Sequence, residues 1–294
     1  MEKKVYTALG LMSGTSMDGV DASIIESNGQ TNYKSISNEY FQYNDDFFKS
    51  ITSLKDKIIC SKDLHSMSNE INHLEREITL FHAEIANKMI KKSKLGIDFV
   101  GFHGQTIFHN VDEMITKQLG DGNLLSQLTK RKVIYNFREN DLKNGGEGAP
   151  LTPIYHKLLV QTLVEKNKIK VPITILNIGG IANITSFNKN FEMNSEDISP
   201  GNCLIDKWIR VNSDKNFDEN GNIAKLGKID KFILEQLLDN FYNNNISKKK
   251  SLDINDFDIS IASGLSLENG AATITEFTAN ILSRKILEND VYVC

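Results

Sequence analysis

No apolar run in this chain approaches the ~20 residues needed to span a bilayer. Its start, Met1-Glu-Lys-Lys-Val-Tyr6, leads directly into an apolar strand instead of a signal-peptide core. Cysteine is scarce: Cys60, Cys203 and Cys294 show no C-x-x-C spacing, and an odd number without a signal peptide points to reduced thiols. A basic surplus is missing too. With 34 Lys and Arg against 38 Asp and Glu, the formal charge of −4 offers nothing to a phosphate backbone, and the one cationic run, Lys248 to Lys250, reads as a solvated loop. These absences exclude a membrane span, a disulfide scaffold and a nucleic-acid binder. The expectation is a soluble, cytoplasmic protein.

The chain has 294 residues, enough for one large or two ordinary cores, and its apolar and charged fractions are those of folded proteins. Val5 to Met12, Gly19 to Glu26 and Tyr33 to Tyr43 read as strands of an antiparallel meander, with Asn28-Gly29 as a turn signal. From Ser61 onward, Leu64, Met67, Ile71, Leu74, Ile78, Phe81, Ile85 and Met89 recur at steps of three and four residues and predict a core-packing helix, preferred to a partner-binding seam. Phe99 to Phe102 and Val133 to Tyr135 are short strands, while Gly122 to Lys132 and Pro153 to Glu165 have helical spacing. Strands alternating with helices indicate an α/β layer.

The opening pattern then returns. Ile173 to Ile178 reads as a strand, Gly179-Gly180 as a tight turn and Ile181 to Phe187 as the strand leaving it, so Leu9 to Val20 and Leu176 to Thr185 share architecture without sharing letters. Related halves imply a cleft between them. Helices are expected at Cys203 to Val211, Lys228 to Tyr242 and Leu265 to Leu287, and the chain ends on the strand-like Val291-Tyr-Val-Cys294, which reads as a truncation.

Polar residues crowd several of these junctions. Ser13-Gly-Thr-Ser-Met-Asp-Gly-Val-Asp21 offers backbone N–H groups and hydroxyls suited to phosphate oxygens, with Asp18 placed to hold Mg²⁺. The plain alternative is a hairpin linker. No G-x-x-x-x-G-K-[ST] occurs, which excludes a P-loop protein. In Asn177-Ile-Gly-Gly-Ile-Ala-Asn183 the glycines let a ligand approach the backbone and the asparagines offer side-chain hydrogen bonds.

His103-Gly-Gln-Thr106 follows the Phe99 strand, which places His103 and Gln105 near a strand's carboxyl end, where α/β proteins bind ligands. His103 and His109 lack a third ligand at a supporting spacing, which argues against zinc. Asn144-Gly-Gly-Glu-Gly-Ala-Pro-Leu-Thr-Pro153 joins a strand to a helix; Glu147 within it is either functional or merely exposed, and Arg138 upstream suits a carboxylate partner. Asp197-Ile-Ser-Pro-Gly-Asn202 precedes the Cys203 helix, so Asp197 is either a carboxylate stabilised at a helix start or a general base.

Taken in order, G-L-M-S-G-T-S-x-D-G-V-D, H-G-Q-T, G-D-x-x, G-G-x-G-A-P-L-x-P, N-I-G-G-I-A-N and D-x-x-P-G-N resemble the anhydro-N-acetylmuramic acid kinase family over Gly10 to Asn202. The resemblance implies an α/β fold of two ribonuclease-H-like halves of the actin-like ATPase kind around a cleft. The first half, residues 1–157, would carry the phosphate turn and sugar-facing loops, and the second, 158–294, the second phosphate turn and the catalytic Asp, incomplete at its C-terminus. It implies ATP and Mg²⁺ as cofactors and a small sugar as substrate, with no nucleic acid or membrane partner and a homodimer left open.

Carried over by position, Gly14, Thr15, Ser16, Met17, Asp18, Gly19, Val20 and Asp21, with Gly179, Gly180 and Asn183, would bind ATP, and Asp18 the metal. Asp197 would be the general base toward the water that opens the anhydro ring, while His103, Gln105, Arg138 and Glu147 would lie near the sugar. Asn136 stands where the family has aspartate, Ile198-Ser199 where it has Thr-Gly, and Ser251-Leu-Asp-Ile-Asn255 where it has a T-G-R-E-like segment. Family members also continue beyond the strand matching Val291 to Cys294 into an adenine-binding loop. Alongside an active kinase stand two other readings: a truncated, non-catalytic sugar binder and a kinase for another anhydrosugar.

Overall fold

The structure, a computed structural model, describes residues 4–244, 246, 252, 254–286 and 290–293; Met1, the Lys248 to Lys250 run, Ser251, Asp253, Leu287 and Cys294 lie outside them. The chain divides into two compact units, Met1–Thr162 and Leu163–Cys294.

The first unit opens with β1 (Tyr6–Ser13), β2 (Gly19–Ser27) and β3 (Tyr33–Gln42), paired antiparallel as the meander predicts. Leu9 and Leu11 on β1 and Val20, Ala22 and Ile24 on β2 alternate into the core with the period of a strand. The Asn28-Gly29 turn closes because Gly29 takes φ +72° and Asn28 Oδ1 accepts the N–H groups of Gln30, Thr31 and Asn32.

Next come α1 (Asp45–Lys57), α2 (Asp63–Ser66) and α3 (Ser68–Ser93), the crossover that a parallel β1–β4 pairing demands. The single helix expected from Ser61 is broken at Met67, whose backbone leaves helical geometry and whose N–H is shared between the Asp63 and His65 carbonyls. The α3 stripe is core: Ile71, Leu74, Ile78, Ile85 and Met89 are buried. So is His82, with Nδ1 2.8 Å from Ile78 O, Nε2 without a partner, and its ring 5.0 Å from that of Phe102. Burial pulls its pKa down to about 4.

The unit continues through β4 (Phe99–Asn110), β5 (Ile115–Leu119), α4 (Gly122–Thr129), β6 (Lys132–Ile134), α5 (Phe137–Lys143) and α6 (Pro153–Glu165). Strands run β3-β2-β1-β4-β5, with β6 beside β4. Phe99 to Phe102 is therefore only the first third of a longer strand, and His103 to Thr106 sit mid-strand, not at its carboxyl end. Gly104, at φ +72°, lets β4 bend there from its β1 pairing into the β5 hairpin.

In the second unit β7 (Ile173–Ile178), β8 (Ala182–Phe187) and β9 (Met193–Ser199) form an antiparallel meander. After α7 (Cys203–Asn212), α8 (Lys231–Asn243) and α9 (Leu267–Lys285), β10 (Asp290–Val293) adds parallel to β7. The strand orders β4-β1-β2-β3 and β10-β7-β8-β9 thus repeat one series of pairings: parallel, antiparallel, antiparallel.

Trp208 on α7 centres this unit's helical core at 3% exposure, its indole N–H donating to Leu267 O at 2.9 Å. Gly270 on α9 makes room for it, since a Cβ there would lie 2.1 Å from the ring. Among the described helices, none is long and apolar enough to cross a membrane.

Candidate functional site

In the first unit the polar turn begins where β1 ends at the buried Ser13. Met17, at φ +59°, closes it by donating its N–H to Gly14 O, and the Ser16 hydroxyl donates to Asp18 Oδ1. Gly19 follows because a Cβ there would stand 2.4 Å from Phe41 O and 2.7 Å from the Tyr40 ring. The Tyr40 pKa is raised, by burial first and by the neighbouring Asp18 carboxylate second; Tyr43 is raised by burial most, with a smaller push from Asp18. Asp21 lies above the usual carboxylate range through burial and the neighbouring charge of Asp18. A divalent cation at this turn would relieve that repulsion. Among the described residues no three His, Cys, Asp or Glu gather as a closed metal cage. The oxygen donors of Asp18 and Asp21 are of the kind that would suit Mg²⁺, a hard cation that keeps waters and shares its ligands with phosphates.

Beneath the turn lies a buried polar network. Ser13 Oγ lies 2.6 Å from Gln105 Oε1 and 2.9 Å from Gly19 O, offering its one proton to either, and it accepts the Tyr43 hydroxyl at 3.0 Å. Gln105, 0% exposed, donates from Nε2 to Gly14 O at 2.9 Å. Tyr43 was not among the sequence candidates, although its place between β3 and the Asn44 helix cap marks a strand-to-helix junction.

Further along the unit, His103, Arg138 and the glycine-rich loop come together. His103 Nδ1–H donates to Gly104 O at 2.8 Å and Nε2 accepts from Arg138 Nε at 2.9 Å, which commits both ring nitrogens in the neutral form. Burial, reinforced by the guanidinium, lowers its pKa to about 4. Arg138 Nη1 reaches on to Gly148 O at 2.8 Å.

The loop itself wraps Asp141, another residue sequence reading missed. Its Oδ2 accepts Gly148 N–H at 2.8 Å, and a Cβ at Gly146 would lie 2.1 Å from the same oxygen. Glu147 is half-buried in that loop. His109 Nδ1 lies 3.1 Å from Thr116 Oγ1. A polar cavity of about 270 Å³ is lined by Glu75, Lys117, Asp121, Tyr135, Asn136 and Glu139 among others, and Asn136 Nδ2 donates to Glu139 there at 2.8 Å.

In the second unit the structure brings Gly179, Gly180, Asn183 and Asp197 to one end of the sheet. Strand register sets Asn177 opposite Asn183 and Asn183 opposite Asp197, so the three side chains share a face. Asp197 lies within β9, not at a helix start, and α7 takes no side-chain cap from Asn202. At 7% exposure its Oδ2 accepts Leu252 N–H at 3.0 Å. β9 escaped the sequence reading because the residues it buries, Asp197, Ile198 and Ser199, are consecutive and mostly polar. Gly201 packs onto the other motif: Asn202 and Cys203 donate their N–H groups to Gly179 O and Gly180 O at 2.9 and 3.0 Å.

Polar, glycine-rich turns at strand ends, one with paired carboxylates and one beside a buried aspartate, define an α/β protein built to bind a ligand. The chain belongs to the anhydro-N-acetylmuramic acid kinase family, whose model, "Anhydro-N-acetylmuramic acid kinase", matches residues 6–291. It is 53% identical over 289 residues to the anhydro-N-acetylmuramic acid kinase of Pelagibacter ubique, covering 98% of this chain and 76% of that one. With the proteins of the same name from Agrobacterium fabrum and Zymomonas mobilis it shares 35% and 36% identity, covering 94% and 95% of this chain and 74% and 76% of theirs. Among solved structures, the ROK hexokinase from Thermus thermophilus covers 99% of this chain and 81% of its own at 8% identity and a TM-score of 0.32, too slight a likeness to argue from.

Proposed function

We propose that the chain is an ATP-dependent kinase that opens 1,6-anhydro-N-acetylmuramic acid with water and phosphorylates it to N-acetylmuramic acid 6-phosphate, as in peptidoglycan recycling. The observation that carries this reading is Asp197, an almost wholly buried carboxylate on the same face as Asn177 and Asn183, whose Oδ2 accepts the Leu252 N–H and which is flanked by a glycine turn. As general base it takes a proton from the water that attacks the anomeric carbon. The C1–O6 bond breaks, and the freed 6-oxygen takes the γ-phosphoryl group. Asn177 and Asn183 orient polar groups beside the base.

In the first unit, Gly14 to Asp21 bind phosphate oxygens, Asp18 and Asp21 hold Mg²⁺, and His103, Arg138 and Glu147 face the sugar. Mg²⁺, when bound, neutralises charge on the phosphate oxygens, which together with positioning is most of what phosphoryl transfer requires. The repeated strand order supports reading the units as ribonuclease-H-like halves of an actin-like ATPase.

Incubation of the purified chain with ATP, Mg²⁺ and the anhydrosugar in ¹⁸O-water tests the reaction. One ADP should form per sugar phosphorylated, with ¹⁸O at C1 and none in the phosphoryl group. A phosphorylated sugar with an intact anhydro ring, or no ADP formation, overturns the reading.

A further inference from the structure

We infer that Gln105 is a positioning residue for the nucleotide-phosphate turn and not a contact to the sugar, an inference that rests on the kinase reading above. Its position in the H-G-Q-T segment points to the sugar, but its side chain has no exposed atom to offer one. Instead it clamps the start of the turn. Gly14 O can only accept, so Nε2 must face it at 2.9 Å, which leaves Oε1 to face the Ser13 hydroxyl at 2.6 Å; the reverse orientation would set Oε1 against the Gly14 carbonyl oxygen.

This arrangement fixes the plane of the Gly14–Thr15 peptide. In a trans peptide the carbonyl and the following N–H point in opposite directions, so a Gly14 carbonyl drawn to the buried amide aims the Thr15 N–H away from it. Tyr43 completes the frame from the end of β3: its hydroxyl donates to Ser13 Oγ at 3.0 Å and its backbone N–H to Asp18 O at 2.8 Å. Ser13, Gly14 and Asp18, which bracket the turn, are thus tied to β4 and to the end of β3. A backbone anion cradle works by having its N–H groups pre-aimed. Loosening the clamp costs the nucleotide and spares the sugar.

Gln105→Leu and Tyr43→Phe in the full chain provide the test, with Kd for Mg·ATP measured by calorimetry without sugar and KM determined separately for ATP and for the anhydrosugar. Gln105→Leu should weaken ATP ~10-fold and Tyr43→Phe ~3-fold, with the sugar KM within about twofold of wild type. A raised sugar KM with unchanged ATP binding would make Gln105 a sugar contact and overturn the inference. So would folded variants that bind ATP as wild type does, since the amide would then be only core. If Gln105→Leu fails to fold, Tyr43→Phe, which removes a single oxygen, carries the same comparison. A wild-type chain that binds no Mg·ATP overturns the kinase reading itself, a result distinct from variants that match a binding-competent wild type.

Discussion

On the proposed mechanism Asp197 takes the proton, and asparagine is the substitution that tests this role. Asparagine has nearly the same shape, and its amide oxygen can accept the Leu252 N–H that the carboxylate Oδ2 accepts now at 3.0 Å. Asp197→Asn should therefore leave the thermal unfolding midpoint close to wild type while turnover falls by ~10² or more, because an amide cannot take a proton from water. Steady-state kinetics beside a melting curve check both halves of the statement. Turnover near wild type would leave Asp197 as a buried structural acid, whereas a large loss of stability would tie it to the packing of the 252 segment.

At the scale of elements, the contact between the Gly179-Gly180 turn and the Pro200 to Cys203 segment depends on one glycine. Gly201 holds φ +55°, and a Cβ there would sit 2.3 Å from Gly179 O and 2.8 Å from Gly180 O. Gly201→Ala should cost ~2 kcal/mol or more in denaturant unfolding, because it adds both a strained backbone and a clash with main-chain atoms that cannot swing aside. An unchanged denaturation midpoint would mean that these motifs do not rely on each other.

Much of this layout is legible in the chain itself. Alternation marks β1 and β2, the apolar run of Ile173 to Ile178 marks β7, and three- and four-residue steps mark α3 and α9. Four elements have no counterpart among the sequence expectations: α1, β5, α5 and β9. For α1 the signal is present, with Asn44 capping Phe47 N–H, acids in the first turn and Phe48, Ile51 and Leu54 three residues apart. β9 carries no such signal, because the residues it buries are consecutive and mostly polar, and a partner of Asp197, Leu252, lies 55 positions away. For the same reason the candidate residues could be named while their partners could not. Nothing local in the sequence reveals that Gln105 reaches Gly14 or that Asp197 reaches Leu252, contacts set by pairings across 91 and 55 positions.

For the molecule as a whole, acid should be the weak side of stability. His82 and His103 are both held neutral, with pKa values lowered from 6.5 to about 4. A base depressed in this way contributes stability in full above the unfolded value and loses it as pH falls from about 6.5 toward 4, where the unfolded chain takes up protons that the native one refuses. Each histidine accounts for on the order of 3 kcal/mol over that window. Melting temperatures measured from pH 8 to pH 4 should decline below about pH 6.5, and His82→Leu should flatten the decline. A wild-type profile that stays level to pH 4 would show these rings titrating normally.

The chain's single tryptophan has a spectroscopic consequence. Trp208 is packed against Gly270 and bonded to Leu267 O, wholly within the second unit. Its emission therefore reports the opening of that unit alone and is blind to the Leu9 and Phe102 core of the first. Laid over a far-ultraviolet dichroism curve, to which both units contribute, the fluorescence transition reads out whether they melt as one cooperative body or in two steps, with no label attached.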